Sequence, residues 1–577
     1  MKKPSRPGIL AVRAVNQYRR REVFAYLGLR YYLENTAARS DIWARQVATD
    51  LVLTRTNTPY FQAQHFKEVT ESGDVKHREI YLPGANEALA EAALMDECAS
   101  KPAFTNPISV FSYQLTDGND RSGVFKPYTN GLQGRHQAIA KACENCPDGV
   151  VLFTDIKRFY PTITSELALA AWRKKSEQAE LSTHYRELGE KIIYDHGLAG
   201  GTANKGILTG PMFSHLIGNL IMSELDAGST ELSARYFRYV DDITLVGTCA
   251  EVAQSLKMIR TKIEAMGLEL HDSNSSKCFE VSSKDWLKGR YDFQSSQNPI
   301  SWMTLIGDLK RFLLANPDQC HALQNTFHAE GFRIPIQDYS RAIYESSFLE
   351  KIDVLARKPW FKRNIANVSI ESLITQARWL RKHYEDEFSE LAQDMSELEG
   401  FERKRHIPKL RYRLGRLIYL GTEGTLVSLG SMAKEIPELQ FHASVMQAVA
   451  TGDIDNVLTL GTNAAQAAAQ PLKVSGKAVK ASLLNLSLVT EQSLAVFLLN
   501  DVSVQYKQEN TSELMRFAKS GVDLGMMKSS DPFVREIACL HGLSEIPRHS
   551  SLLETVFDAD EDLAMDAIEQ LQQSLSS

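Results

Sequence analysis

Acidic residues that end apolar, strand-like runs are the part of this sequence best suited to chemistry. Asp155 closes the apolar run at residues 150–153, which is typical of a strand buried on both faces. The neighbouring acids Asp241 and Asp242 lie between two further runs of this kind, a pattern that predicts a hairpin with the acids at its tip. Two adjacent anions repel each other unless a cation offsets their charge, so by itself this tip is either a cation-binding site or a solvated turn.

Carboxylates that come from separate backbone segments and meet at one place are what two-metal phosphoryl transfer requires. Two Mg²⁺ ions about 4 Å apart are bridged by such acids; one lowers the pKa of an attacking hydroxyl, and the other holds a triphosphate and its leaving pyrophosphate. We therefore expect Asp155, Asp241 and Asp242 to be catalytic, metal-binding residues for two Mg²⁺ ions, for which Mn²⁺ can substitute.

The segment between these acids allows a close backbone approach before a helix begins. Gly206, Gly210 and Pro211 precede a helix-like run that continues to Leu220. Two glycines and a proline allow a backbone to pass close to a bulky planar group. By itself the pattern favours a plain turn before a helix.

Taken in chain order, three segments resemble motifs A, B and C of reverse transcriptases. These segments are residues 155–163, 206–219 and 239–242, and 86 positions separate the first acid from the acidic pair, which fits the family. The resemblance implies a right-hand polymerase fold and the addition of deoxynucleotides to a growing chain. It covers roughly residues 60–300.

Motifs A and C match the family at single residues. Asp155 and Asp241 match its metal-binding acids, with Asp242 supporting the hairpin. Tyr160 matches the gate against the 2′-hydroxyl of a nucleotide. An aromatic ring at that position fills the space that a ribose oxygen needs, which favours deoxynucleotides; the alternative is that Tyr160 is part of the core.

Motif B matches the family in part. Gly210 and Asn219 match the positions that line the nascent base pair and the sugar. Leu208 and His215 stand where the family commonly has proline. Neither departure removes a catalytic group.

Basic residues on both sides of these motifs resemble triphosphate contacts. Lys76 and Arg78, in residues 76–83, match the fingers motif that grips the triphosphate, where cations neutralise developing phosphate charge. Lys277 resembles the motif D lysine that protonates the leaving pyrophosphate, although the interval from Gly267 is longer than the family's usual one. Ordinary surface lysines and arginines are the alternative.

The elements expected to position these residues change in type near residue 300. Before it, we expect an α+β right hand with fingers at 1–105 and a palm at 106–285, including a strand at 267–270. After it, helical patterns dominate, which predicts a helical thumb or connection at 286–400 and an all-helical domain at 401–577. The helical segments are expected at 309–314, 370–384, 426–436, 443–450, 479–489 and 533–543. They form either a helical repeat or an irregular domain.

A reverse transcriptase core with a long helical extension resembles the bacterial abortive-infection and defence-associated (antiphage) reverse transcriptases. This second resemblance implies protection against phage, several copies of the chain in one assembly, and DNA synthesis without a template or from a protein hydroxyl. One alternative is a templated enzyme that copies a partner non-coding RNA or serves a retroelement. Another is a non-catalytic RNA-binding scaffold that has kept a polymerase fold.

The amino-acid composition narrows the possible classes of protein further. Of the 577 residues, 43% are hydrophobic and 24% charged, which is typical of globular proteins. The formal net charge is −6, so a nucleic acid must bind to a local surface. Candidates are the basic, aromatic-containing runs 357–363, 378–382 and 403–413. No apolar stretch is long enough to span a membrane, and we expect a cytoplasmic protein with no membrane partner.

Overall fold

The computed structural model divides the chain into two compact units. The first contains Met1–Gln17, Asn35–Tyr60 and Tyr81–Gln297, and the second contains Tyr18–Glu34, Phe61–Ile80 and Asn298–Ser577. The protein is mixed α+β and mostly helical. The residues that the structure describes are 7–19, 22–70, 72–118, 120–121, 123–201, 205–272, 275, 277–294, 300–345, 368–483, 487–507, 512–541 and 549–554.

Helices and strands alternate up to residue 294, and helices dominate thereafter. The elements of the first part are α1 (Ile9–Arg19), α2 (Val23–Tyr32), α3 (Thr49–Thr54), β1 (Tyr60–Val69), β2 (Val75–Pro83), α4 (Ala85–Ala99), α5 (Tyr128–Asn145), β3 (Val150–Asp155), α6 (Phe159–Thr162), α7 (Ser165–Gln178), α8 (Thr183–Ala199), α9 (Met212–Ala227), β4 (Arg235–Tyr239), β5 (Asp242–Gly247), α10 (Cys249–Ala265), β6 (Phe279–Ser282) and α11 (Ser283–Gln294). Those of the second part are α12 (Trp302–Ala315), α13 (Cys320–Ala329), α14 (Ile336–Glu345), α15 (Ile370–Asp394), α16 (Gly400–Leu420), α17 (Glu423–Lys434), α18 (Gln440–Thr451), α19 (Asp455–Leu460), α20 (Thr462–Ser475), β7 (Val479–Ala481), α21 (Leu488–Leu499), β8 (Val504–Tyr506), α22 (Glu513–Ser520), α23 (Pro532–His541) and α24 (His549–Glu554).

A four-stranded antiparallel sheet forms the centre of the first unit. Its strand order is β4-β5-β3-β6, so β3 lies inside the sheet with a neighbour on each side. This explains the unbroken apolar run of β3, because Val151 and Leu152 are both buried although they point to opposite faces. The strand expected at residues 150–153 and the hairpin of β4 and β5 are confirmed.

One expected strand of the first unit is wrong. Residues 267–270 do not form a strand, and Leu270 makes a single isolated antiparallel bridge to Ile156. Lys157 continues the contact by donating its N–H to the Glu269 carbonyl at 2.7 Å. Because β3 ends at Asp155, residues 267–270 have no neighbouring strand to pair with along their length, and the pairing stops after these few contacts.

The loop that carries the motif B glycine leads into a helix whose first turn is held by a buried acid. Gly210 has φ +124°, a backbone conformation that side chains with a Cβ rarely adopt. Two residues later α9 begins, and Glu91 of α4 accepts the Phe213 N–H at 3.0 Å. A carboxyl group here satisfies N–H groups that have no partner within the helix.

The second unit joins segments that are far apart in the sequence. Four phenylalanines from α2, β1, α22 and α23 pack together with ring centroids 4.9–5.6 Å apart. The Tyr31 hydroxyl shares a 2.7 Å hydrogen bond with His549 Nδ1, 518 positions away. Phe66 donates its N–H to Asn463 Oδ1 at 3.0 Å across 397 positions. N-terminal segments therefore contribute directly to the core of the C-terminal helical region.

The C-terminal region is helical as expected, with one difference. The helix expected over residues 479–489 is a strand followed by a helix, because β7 pairs in parallel with β8. The Val479 and Ala481 side chains are buried on one face of this two-stranded sheet. In the part of the chain that the structure describes, no helix combines the length and apolar character required to cross a bilayer.

Replacing Glu91 with glutamine is expected to change how stability depends on pH. Burial raises the pKa of Glu91 to about 8, an effect that the N–H groups of Phe213 and Met212 oppose. Between pH 4.5 and 8 the native state holds a proton that the unfolded state has lost. Stability therefore falls as pH rises through this range, by at most about 1.4 kcal/mol per pH unit.

Glu91→Gln should remove this pH-dependent contribution to the unfolding free energy. The difference in unfolding free energy between the variant and the unmodified protein should grow in the variant's favour from pH 5 to pH 8, as measured by urea denaturation. Glu177→Gln, at an exposed position of α7, serves as the matched control. A difference that does not change with pH would contradict the burial of an ionisable Glu91.

Candidate active site

Three carboxylates meet where β3 ends and β5 begins. Asp155 is the last residue of β3, and the strand register places it opposite Asp242, the first residue of β5. Asp241 precedes Asp242 in the turn, and its carbonyl accepts the Ile156 N–H at 3.3 Å. On the other side, His271 donates its N–H to the Asp155 carbonyl at 2.9 Å. Backbone hydrogen bonds thus fix the acid of β3 between two neighbouring segments.

The charges of these acids act strongly on one another. Burial, followed by the negative charges of Asp155 and Asp242, raises the pKa of Asp241 to about 8. Asp155 is 5% exposed, whereas the Asp242 side chain is about half exposed. Like charges gathered out of water favour protonation or a bound cation. This site therefore needs positive charge to keep all three acids ionised.

Two basic side chains already supply part of that charge. Lys277 places Nζ 2.7 Å from Asp155 Oδ2, and Arg135 of α5 places Nη1 3.8 Å from Asp242 Oδ2. Burial lowers the pKa of Lys277, but the hydrogen bond to Asp155 and the negative charges of the three acids together raise it more, so its pKa lies above the usual value. Arg135 is oriented by donating from Nη2 to Thr244 Oγ1 at 2.6 Å.

The donor atoms at this site suit a hard divalent cation. All three acids offer carboxylate oxygens, the ligands that Mg²⁺ and Mn²⁺ prefer. Asp155 Oδ1 is buried and receives no hydrogen bond from any described residue. As the site stands, no three His, Cys, Asp or Glu side chains among the described residues are grouped closely enough to hold a metal ion. Lys277 occupies the other oxygen of Asp155, so we expect a cation to compete with its ammonium group.

The turn that carries Asp241 is held by a buried arginine. Arg238 of β4 is fully buried and makes a two-pronged ion pair with Asp226 of α9, with N–O distances of 2.6 and 2.8 Å. Its Nη1 donates to the Val240 carbonyl at 2.7 Å and to Asn219 Oδ1 at 3.1 Å. One guanidinium group therefore connects β4, α9 and the acidic turn.

Val240 stores strain at this turn. It has φ +57°, in the left-handed region that a β-branched side chain adopts only when its surroundings force it. Its N–H donates to Ser112 Oγ at 2.8 Å, while Arg238 holds its carbonyl. Ser112 also accepts a hydrogen bond from Asn219 Nδ2 on its carbonyl at 3.2 Å. The conformation that presents Asp241 is thus fixed from both sides.

The motif B and gate positions lie beside the acids. Burial, then the neighbouring Tyr113, then the charge of Asp241 raise the pKa of Tyr160 well above its usual value, which places Tyr160 within electrostatic reach of Asp241. Asn219 is 5% exposed and is oriented by Arg238 and Ser112. Gly210 lies in the loop before α9. The structure thus brings Asp155, Asp241 and Asp242 together with Lys277, and Tyr160 and Asn219 belong to the same unit.

The remaining basic candidates are placed differently. Lys76 and Arg78 lie on β2 in the second unit, where the Lys76 ammonium is 3.3 Å from the exposed Glu68 carboxylate. Their role as triphosphate contacts stays a prediction.

The basic runs of the helical region are largely neutralised by acids of the same unit. The ion pairs are Arg378–Glu330, Arg403–Glu438 and Arg413–Glu387, at 2.6, 2.8 and 2.5 Å. These ion pairs favour a structural role for the three arginines over the binding of a nucleic-acid strand. The run at residues 357–363 lies outside the described residues.

Several residues of the site carry no motif in the sequence. Arg135, Ser112 and Arg238 contact an acid, the acidic turn or Asn219, and Asp226 pairs with Arg238. None of the four was expected at the site. The available signal was the two-residue period of β4, which places the charged Arg238 on the same buried face as Tyr236. A buried cation requires an acid, but periodicity does not say which one.

Comparison with known proteins does not identify a family for this chain. No protein-family model matches the chain, and no curated protein matches its sequence.

Removing the arginine of the buried ion pair is expected to destabilise the protein strongly. Arg238→Met leaves Asp226 charged, buried and without its main partner, which typically costs about 3–5 kcal/mol of unfolding free energy. Arg173→Met, which breaks the exposed pair with Glu190, should cost less than about 1 kcal/mol. Urea denaturation measures both. Equal losses in the two variants would contradict a central role for Arg238.

Competition between Lys277 and a bound cation is also measurable. Lys277→Met should tighten Mn²⁺ binding by about fivefold, since an ion pair whose lysine is largely exposed contributes about 1 kcal/mol. Asp155→Asn should weaken it. Free Mn²⁺ is followed by electron paramagnetic resonance. Lys284→Met, which breaks the exposed pair with Asp148, is the matched control and should change nothing. Weaker Mn²⁺ binding by Lys277→Met would refute the competition.

Proposed function

We propose that this chain is a DNA polymerase of the reverse-transcriptase type that adds deoxynucleotides by two-metal phosphoryl transfer. The observation that carries the proposal is the meeting of Asp155, Asp241 and Asp242 at one end of an antiparallel sheet, in the order and spacing of motifs A and C. A structural role would not require three acids to be gathered so that burial and mutual repulsion raise the pKa of one of them to about 8.

In this proposal each residue of the site has its own role in the reaction. Asp155, Asp241 and Asp242 would hold two Mg²⁺ ions, which when bound lower the pKa of the attacking hydroxyl and neutralise the triphosphate. Lys277 Nζ would carry the proton that the leaving pyrophosphate oxygen takes up. Tyr160 would fill the space beside the 2′-carbon of the sugar. Each assignment is part of the proposal.

The wider role follows from the second resemblance. A long helical region after the core supports an antiphage enzyme that works without a template or from a protein hydroxyl, in the cytoplasm and as a homo-oligomer. The second candidate is a templated reverse transcriptase that copies a partner non-coding RNA or serves a retroelement. A non-catalytic RNA-binding scaffold is disfavoured by the charged, strained site, because a scaffold gains nothing from its cost in stability.

The proposal is tested by incubating the full chain with Mg²⁺ and each labelled deoxynucleotide without a template. Products are separated on a denaturing protein gel before and after nuclease digestion. We expect incorporation that Asp241→Ala/Asp242→Ala reduces by more than about a hundredfold, because the ions lose their ligands. Asp148→Ala, in the exposed turn before β3, should retain activity.

Each outcome separates the candidates. Label that stays with the protein and disappears in the double variant supports protein-primed or template-free synthesis. Label that requires an added RNA and primer favours the templated enzyme. Undiminished incorporation by the double variant would refute the site.

A further inference from the structure

His215 contacts Tyr160 directly, on the helix that also carries Asn219. The Tyr160 hydroxyl and His215 Nδ1 share a hydrogen bond of 2.7 Å. The two rings meet edge to face, with centroids 5.6 Å apart and an interplanar angle of 89°. His215 and Asn219 are four residues apart on α9, so both side chains project from one helix face. His215, one of the two residues that depart from the motif B pattern, is therefore a neighbour of both Tyr160 and Asn219.

His215 is itself firmly held. Its ring stacks on Tyr113 with a centroid distance of 4.0 Å and an interplanar angle of 7°, and Phe125 meets it edge-on at 6.0 Å. The side chain is 6% exposed. Tyr113 has φ +48°, a strained conformation for a residue with a side chain, and lies next to Ser112, which holds the acidic turn. A rigid ring stack thus stands behind the Tyr160 hydroxyl.

The helix also passes close to the Phe159 ring and to the Tyr160 hydroxyl. A Cβ placed on Gly218 would lie 3.2 Å from the Phe159 ring, so the glycine lets α9 pack tightly against α6. The same Cβ would lie 3.9 Å from the Tyr160 hydroxyl oxygen, so the hydroxyl end of Tyr160 is held by His215 and by the close approach of α9. Fixing the hydroxyl end of a tyrosine restricts both of its side-chain torsions.

We propose that His215 is a positioning residue that fixes the Tyr160 ring and thereby sets how strongly the pocket excludes ribonucleotides. This inference rests on the proposed function, and it deepens it by naming a second residue that determines the choice of sugar. A ring excludes an additional hydroxyl only to the extent that it cannot tilt away. Without His215 the Tyr160 ring can tilt, and a ribose oxygen gains room.

The hydrogen bond can be removed from either partner without removing a ring. Tyr160→Phe keeps the ring and loses the hydroxyl, whereas His215→Phe keeps an aromatic ring on Tyr113 and loses the nitrogen. We expect each variant to lower the preference for dATP over ATP about three- to tenfold, the usual contribution of one hydrogen bond between uncharged side chains. The preference is measured as the ratio of kcat/KM values and as the ratio of dissociation constants in Mg²⁺.

The pattern across variants separates positioning from general damage. The catalytic efficiency with ATP should rise relative to that with dATP, and the Tyr160→Phe/His215→Phe double variant should discriminate no worse than Tyr160→Phe alone, because that substitution already removes the bond. His215→Gln, which retains a polar group, should recover part of the preference. His321→Phe, at an exposed position of α13, is the matched control. Tyr160→Phe leaves α9 unchanged and tests the bond even where a substitution at 215 unfolds the chain.

Two failures are distinguishable. An unmodified protein that neither binds nor incorporates any nucleotide overturns the proposed function, and this inference with it. A protein that binds or incorporates dATP, but whose preference over ATP is unchanged in Tyr160→Phe and His215→Phe, overturns this inference alone. Additive losses in the double variant would do the same.

Discussion

The buried ion pair between Arg238 and Asp226 is the interaction on which the candidate site depends. Taking a guanidinium and a carboxylate out of water is costly, and the cost is offset only when their geometry is good and their other hydrogen-bonding atoms find partners. Here the Arg238 donors reach the Asp226 carboxylate, the Val240 carbonyl and the Asn219 amide oxygen. Any displacement of β4 against α9 would break several of these bonds together. The pair therefore determines the relative position of the elements that carry the acids and the pocket.

The three acids place like charges close together. Lys277 and Arg135 each approach one acid, while burial and the charges of the other two acids raise the pKa of Asp241. Such a cluster lowers stability in the absence of a cation, since like charges repel across a medium of low dielectric constant. Strain at Val240 adds to that cost. Stability given up at one place in a fold is a common property of sites that bind or react.

Much of the sheet could be predicted from the sequence, because its strands depend on local patterns. The run before Asp155 and the two runs around the acidic pair are strands, and their register brings the acids together. Features that depend on a distant partner could not be predicted. Three such features depend on tertiary contacts. Arg238 pairs with Asp226 of another element, and residues 479–481 form β7 because β8 pairs with them. The third is the assignment of Lys76 to the second unit. The hydrophobic periodicity of a segment does not indicate which distant residue it will contact.

The interleaved path of the chain has a consequence for its biosynthesis. α2 and most of β1 leave the ribosome several hundred residues before their packing partners Asn463, Phe533 and His549. Translation at about 5–20 residues per second leaves these early apolar segments uncovered for tens of seconds. Closing loops of several hundred residues also slows their docking. The nascent chain is therefore exposed to aggregation or chaperone capture at α2 and β1, and a product that stops before Asn463 would keep that exposure permanently.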